Sequence, residues 1–274
     1  MKPIFELRNI CVALKGKDSI RELIKDISLS VRAGECLGIL GESGSGKSMS
    51  IKDAMGLLDS NFVISGSAKF MGEELLDKTG EELRMLRGGK IGIVLQNPMT
   101  CFDPLYRIDY QIAETFLAHK NLNSGEIYEQ SISLLERMRI RNPKEVLRKY
   151  SHQLSGGMLQ RIMIGIATAM KPALIIADEP TTAIDAITQI EILDEFINIK
   201  QKQNVAMIFI SHDLNAISRI ADKIVVLNKG NVVDEGLFED IIKNARDPYT
   251  KLLIEKRRDV LQKYQEIMGI KGEY

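Results

Sequence analysis

The sequence predicts an α/β fold built around a phosphate-binding core, and three observations carry that expectation. Residues Gly41–Ser48 read GESGSGKS and fill every fixed position of the pattern G-x-x-x-x-G-K-[ST]. The apolar run Cys36–Leu40 leads into this loop, and a helix-compatible stretch leaves it from Lys47. Further on, the continuous apolar runs Ala173–Ala177, Val205–Ile210 and Ile224–Leu227 have the character of parallel strands buried on both faces, with a helical stretch, Ala186–Gln203, between the first two. Strand–helix–strand alternation around a phosphate loop means an α/β nucleotide-binding core.

The elements follow in chain order. Ile4–Val31 alternates polar and apolar residues in short runs, with Lys15-Gly16-Lys17-Asp18 as a turn, and reads as a small antiparallel layer. Ala33-Gly34-Glu35 turns the chain into the strand before the phosphate loop. Phe62–Phe70, with Gly66-Ser67 inside it, reads as a short strand pair. Ile91–Leu95 is a further apolar strand ending at Gln96. Pro104–Ile140 takes helical spacing, with Ile132, Leu135 and Met138 on one face. Asn142-Pro143-Lys144 breaks that pattern and starts another helix. Asp247–Ile267 is helical and charged. The expected division is a nucleotide-binding domain over 1–246, a helical subdomain inserted at about 97–162, and a helical tail over 247–274.

Composition narrows the function. The 274 residues are 45% hydrophobic, enough for a sizeable core, and 37 Lys+Arg balance 37 Asp+Glu. The basic surplus of a nucleic-acid binder is missing, so no nucleic-acid partner is expected. Cys11, Cys36 and Cys101 lie far apart, which argues against zinc or iron–sulfur chemistry and fits a reducing compartment. The first residues, Met1–Glu6, lack a signal-peptide apolar core. The most apolar region, Ile162–Ala177, is interrupted by Lys171-Pro172 and is shorter than the ~20 residues of a membrane span. The expectation is a soluble chain whose membrane role, if any, runs through a partner.

Three constellations carry chemistry. In the first, the glycines of Gly41-Glu42-Ser43-Gly44-Ser45-Gly46 let the backbone curl so that N–H groups converge on phosphate oxygens, and the helix dipole adds to the field. Lys47 would reach the β- and γ-phosphates, and the Ser48 hydroxyl would ligate Mg²⁺. In the second, an apolar strand ends in Asp178-Glu179-Pro180. Asp178 is placed to hold Mg²⁺, and Glu179 to polarise a water for attack on the γ-phosphate. His212, just past the strand ending at Ser211, is either structural or a γ-phosphate contact that orients the water of Glu179. Gln96 is either an ordinary strand-end residue or a contact to Mg²⁺ or the water. The third is Leu154-Ser155-Gly156-Gly157-Met158-Leu159-Gln160-Arg161. Ser155 is a good N-cap, and the two glycines leave a helix tip open to an anion.

This order of motifs resembles the ATP-binding cassette (ABC) family of transporter ATPases, and the likeness covers nearly the whole chain. In its terms Gly41–Ser48 is the phosphate loop, Gln96 the glutamine switch, Leu154–Gln160 the signature, Asp178 and Glu179 the magnesium aspartate and catalytic glutamate, Thr181–Asp185 the dimer loop, and His212 the switch histidine. The resemblance implies a RecA-like P-loop NTPase core, ATP and Mg²⁺ as ligands, and a head-to-tail dimer. Each ATP would sit between one subunit's phosphate loop and the other's Ser155-Gly156-Gly157, with Gln160 among the ligand contacts and Asp185 crossing the interface.

The wording of Gln96–Pro104 and of Asp247-Pro248-Tyr249-Thr250-Lys251 is similar to peptide and nickel importers, and Gly156–Arg161 to nickel and metallophore importers. That implies a cell-membrane importer energised from its cytoplasmic side. Its partners would be a related second ATPase subunit, two transmembrane permease subunits and, indirectly, an extracellular solute-binding protein. Nickel or a metal–chelator complex is the first expected cargo and a short peptide the second. Soluble cassette ATPases and phosphoryl-transfer kinases are the rival classes; the coiled coils or zinc cysteines of the former do not occur, and the Ser155 signature argues against the latter. Two departures stand out. No aromatic residue lies between Lys15 and Lys25 to stack on adenine, which leaves Ile20 or Leu23 for the base, and Ile184 replaces the commoner leucine.

Overall fold

A computed structural model describes residues 2–16, 19–182 and 184–256. In chain order its elements are β1 (Phe5–Lys15), β2 (Ile20–Val31), β3 (Cys36–Leu40), α1 (Lys47–Ala54), β4 (Phe62–Phe70), β5 (Glu73–Glu74), α2 (Gly80–Leu86) and β6 (Ile91–Val94). There follow α3 (Pro98–Cys101), α4 (Ile108–His119), α5 (Ser124–Arg137), α6 (Pro143–Leu147), α7 (Gly156–Thr168), β7 (Leu174–Asp178), α8 (Ala186–Gln203), β8 (Ala206–Ser211), α9 (Leu214–Ile220), β9 (Lys223–Asn228), β10 (Asn231–Leu237) and α10 (Phe238–Asn244). A last helical stretch covers 248–256.

The strands form two sheets, ordered β2-β1-β4-β5 and β10-β9-β3-β8-β7-β6. In the larger sheet β9, β3, β8, β7 and β6 run parallel, and β10 closes the edge antiparallel to β9. Every residue of β3, β7 and β8 is buried, which explains their unbroken apolar runs: helices α4–α9 cover one face, and the small sheet together with α1 the other. One core joins α4–α9 to the large sheet, and Phe196 meets Phe209 edge-on at 5.7 Å within it. A second core fills the space between the two sheets and takes in Phe5, Ile24, Ile39, Ile51 and Ile208. Each fully buried side chain of this kind contributes roughly 1.5–3 kcal/mol. Pinning both cores to one sheet sets the carboxyl ends of β3, β7 and β8 side by side, where ligands bind in open α/β sheets.

Local chemistry explains the helix starts. Thr79 with Glu82, and Asn123 with Glu126, form reciprocal capping boxes for α2 and α5. Asp185 accepts from Thr188 N–H at the start of α8.

The expected strand pair at 62–70 is instead a single strand. Gly66 has φ 111°, but it sits opposite the bulge of β1, where a Cβ would come within 2.5 Å of Asn9 O and 2.7 Å of Arg8 O. The glycine accommodates a backbone crossing and makes no turn. Helix α4 also starts only at Ile108, because the preceding residues from Pro104 run irregularly past α3. The turn residues Lys17 and Asp18, Ala183 of the expected dimer loop, and the tail from 257 onward lie outside the described residues. Among the described residues no helix is long and apolar enough to cross a membrane.

Candidate functional site

The phosphate loop joins β3 to α1. Gly41 is required by space, since a Cβ there would lie 2.3 Å from Leu227 O and 2.6 Å from Ser45 Oγ. Gly46 adopts φ 101° at the start of α1, where a Cβ would lie 2.3 Å from Ile24 Cδ1. No side chain caps this helix. The loop is stitched to its surroundings by Gly230 N–H donating to Ser45 O (3.0 Å) and Lys25 N–H donating to Gly230 O (2.9 Å). Ser45 is buried, and its Oγ has no hydrogen-bond partner.

Lys47 is also buried, and its ammonium has three donors to place. It donates to Gly41 O at 2.7 Å and to Glu42 O at 3.0 Å, and lies 3.5 Å from Glu179 Oε1. Glu179 Oε2 in turn accepts from Thr182 Oγ1 at 2.7 Å and meets His212 Nδ1 at 2.6 Å. Glu179 carries a left-handed backbone, φ 52°, and its N–H donates to Ile210 O at 2.9 Å. A non-glycine residue in that region costs of order 1–3 kcal/mol, and such strain clusters where a side chain must be aimed. Beside this line, Ser48 Oγ donates to Asp178 Oδ1 at 2.5 Å. Asp178 Oδ2 accepts no hydrogen bond, although Lys52 Nζ stands 3.0 Å away as an ion pair.

Structure thus brings Lys47, Glu179 and His212 into one contact chain, with Ser48 and Asp178 paired beside it, at the ends of β3, β7 and β8. Outside the phosphate loop, it places the other expected site residues elsewhere. Gln96 is exposed just past Leu95, which lines a small crevice with Ser48, Lys52 and Asp178. Ser155 caps α7 by accepting from Met158 N–H at 3.3 Å. A Cβ on Gly156 would meet nothing within 4 Å, whereas one on Gly157 would press on Thr188 Cγ2 at 2.8 Å. The tip of α7 therefore lies against the start of α8, next to Asp185. The Asp185 carboxyl is held below its ordinary pKa, chiefly by the Thr188 N–H it accepts. Among the described residues no hydrogen bond or ion pair joins Ser155–Gly157 or Asp185 to the phosphate loop.

Gln160 needs a correction. Its side chain is fully buried and neither amide atom has a hydrogen-bond partner, so it does not stand on the open tip with Ser155 and Gly156. Position 160 lies more than a turn along α7, and the helical period turns it into the core.

Sequence reasoning missed Lys52, Thr182 and Tyr249. Lys52 lies four residues after Ser48, so helical periodicity alone stacks the two on one face. Thr182 was visible in the dimer loop, but its bond to Glu179 depends on the turn that the left-handed glutamate creates. Tyr249 Oη accepts from Glu42 N–H at 2.8 Å across 207 residues of sequence, and nothing local announces it.

Residues 24–182 match the ABC transporter family. The chain belongs to that family. It is 39% identical over 246 residues to the metal-staphylopine import system ATP-binding protein of Staphylococcus aureus, covering 90% of this chain and 91% of that one. It is 42% identical over 252 residues to an oligopeptide transport ATP-binding protein of Lactococcus lactis, covering 92% and 75%. Among solved structures, a dimeric ATP-binding cassette bound to ADP and Pi superposes with TM-score 0.76 at 25% identity, over 85% of this chain and 98% of that one. A cassette of the cbiONQ transporter complex from Clostridium perfringens has the same fold, with TM-score 0.74 at 24% identity over 98% of this chain and all of the other. The chain is an ATP-binding ATPase.

Proposed function

We propose that this ABC protein is the ATP-hydrolysing subunit of an importer that takes up nickel or a metal–chelator complex. The contact chain Lys47–Glu179–His212, with Ser48–Asp178 beside it, carries the reading. Lys47, held by the Gly41 and Glu42 carbonyls, binds the β- and γ-phosphates of ATP together with the N–H groups at the uncapped start of α1, Lys47 and Ser48. The unpartnered Ser45 hydroxyl and the uncapped start of α1 suit an anion.

Glu179 acts as the base that polarises water. His212 on Oε2 keeps its carboxylate oriented, and Thr182 fixes the same oxygen. Ser48 Oγ and Asp178 fit Mg²⁺: one hydroxyl and one buried carboxylate with an oxygen that accepts no hydrogen bond, the remaining ligands being phosphate and water. Bound there, the ion would neutralise charge on the β/γ-phosphates. Gln96 senses the site from the far strand. Ser155, Gly156 and Gly157 bind the γ-phosphate held by a second, related ATPase subunit, and Asp185 crosses that interface.

The helical region over 97–162 receives the permease. A groove of about 640 Å³ runs between α4 and α5, lined by Leu105, Tyr106, Tyr110, Leu117, Tyr128 and Tyr150. These exposed apolar and aromatic side chains suit short helices of transmembrane subunits, which would hold the protein at the cytoplasmic side of the cell membrane. The likeness of Gly156–Arg161 to nickel and metallophore importers supports a metal complex ahead of a peptide as cargo. Both classes appear in the names of the relatives, at 39% and 42% identity. Uptake of radioactive nickel by cells with and without the chain tests the cargo; equal uptake in both would leave the peptide reading. Co-purification of permease subunits tests the assembly.

A further inference from the structure

The segment after α10 does not simply trail away. Asp234 of β10 accepts from Asp247 N–H at 3.0 Å and Arg246 N–H at 3.3 Å, which anchors its start. Asp247 Oδ1 then accepts from Tyr249 N–H at 2.8 Å and turns the chain into the helical stretch over 248–256. Thr250 and Ile254 are buried on the body. This docking delivers Tyr249 Oη to Glu42 N–H and Lys256 Nζ to within 3.5 Å of Glu42 Oε1.

Glu42 is the second residue of the phosphate loop, and its peptide is held at both ends. Its N–H is engaged by Tyr249. The other end of that peptide unit is Gly41 C=O, which accepts from Lys47 Nζ at 2.7 Å, while Glu42 C=O on the next unit accepts from Lys47 Nζ at 3.0 Å and from Ser45 N–H at 3.1 Å. One hydrogen-bonded path therefore runs from the C-terminal segment through a single peptide unit to the ammonium group. That path neither needs the signature helix nor passes through the sheet.

We propose that Tyr249 is a positioning residue for nucleotide binding: its hydroxyl fixes the Glu42 peptide, that peptide fixes Lys47 Nζ, and the docked C-terminal segment thereby sets the affinity of the phosphate loop for ATP. The inference rests on the proposed role of Lys47. The phenol suits the task, because burial raises its pKa and keeps the hydroxyl neutral. Lys256 is a weaker second tie, being largely exposed to solvent.

The test uses the full chain and ATP itself. Tyr249→Phe removes one oxygen and keeps the ring. Calorimetry should show ATP binding about 3- to 10-fold weaker, the loss expected for one hydrogen bond. KM for ATP should rise to the same extent while kcat at saturating ATP and the melting temperature stay at wild-type values. The same change in a Lys47→Arg background should have less effect than in the native chain, because both act along one path. Wild-type affinity in Tyr249→Phe would overturn the role. So would a loss that falls on kcat or melting temperature with KM unchanged, or one that is fully additive with Lys47→Arg. If the unaltered chain failed to bind ATP, the phosphate-loop reading itself would fall, a result distinct from either.

Discussion

Helices α1 and α7 both begin at glycine-rich turns, yet they present their tips in opposite ways. The tip of α1 is enclosed: Gly46 is left-handed, Lys47 and Ser45 are buried, and Lys47, Asp178 and Glu179 surround it within one protomer. The tip of α7 is capped by the Ser155 side chain, and beyond Gly156 lies open space. One is a nearly finished pocket. The other is a surface whose nearest carboxylate, Asp185, is taken up in capping α8. That difference suits the proposed shared site, in which the chemistry would stay with one protomer and the second tip would supply donors to a phosphate brought by a partner.

The largest effect should separate the two regions at once. Glu179→Gln should lower ATP hydrolysis by about 10²–10⁴-fold, the range for a lost general base, while ATP affinity stays within a few-fold. A steady-state rate near wild type would remove Glu179 as the base. Lys47→Ala should weaken ATP binding by roughly 10- to 100-fold in calorimetry, since it deletes a charge-assisted contact and leaves Glu179 without its buried cation. Unchanged binding would contradict the enclosed pocket. On the other helix, Gly156→Asp should reduce hydrolysis at least about tenfold through like-charge repulsion at the tip, yet leave ATP affinity of the isolated protomer unaltered. Weakened binding by the protomer alone would collapse the contrast between the two tips.

The smallest effect concerns the buried side of α1. Both oxygens of Asp53 lack hydrogen-bond partners, and desolvation raises its pKa to about 7 from 3.8. The folded state therefore holds a proton that the unfolded chain releases near pH 4. Stability contributed by this group is full below pH 4, declines as pH rises toward 7, and is gone above it. Asp53→Asn should flatten that decline and raise the melting temperature by a few degrees at pH 8 but not at pH 5. The same increment at both values would show that Asp53 does not titrate in this window.

Much of the site was legible because its residues lie in short windows where spacing dictates geometry. Gly41–Ser48 specifies a curl, Ser155–Gly157 a capped tip, and Asp178-Glu179 the end of a buried strand. Strands β3, β7 and β8 were visible because burial on both faces demands unbroken apolar runs. Gly66 misled because a glycine in a strand signals either a turn or a close approach, and only the partner strand decides which. Gln160 misled because its place in a motif says nothing of which side of α7 it faces. Helix α9, strand β10 and helix α10 went unnoticed, since each is seven residues and too short for a clear period.

By itself the sequence determined the family, the phosphate loop, the acid pair and the order of the parallel strands' apolar runs, because these depend on local backbone requirements and on contiguous burial. Tertiary structure alone decided that Glu179 would join Lys47 to His212, that Lys52 would face Asp178, and that Tyr249 would reach back to Glu42. Those contacts join residues far apart in the chain. They exist only where sheet order and core packing set the ends of separate elements within a few ångströms of each other.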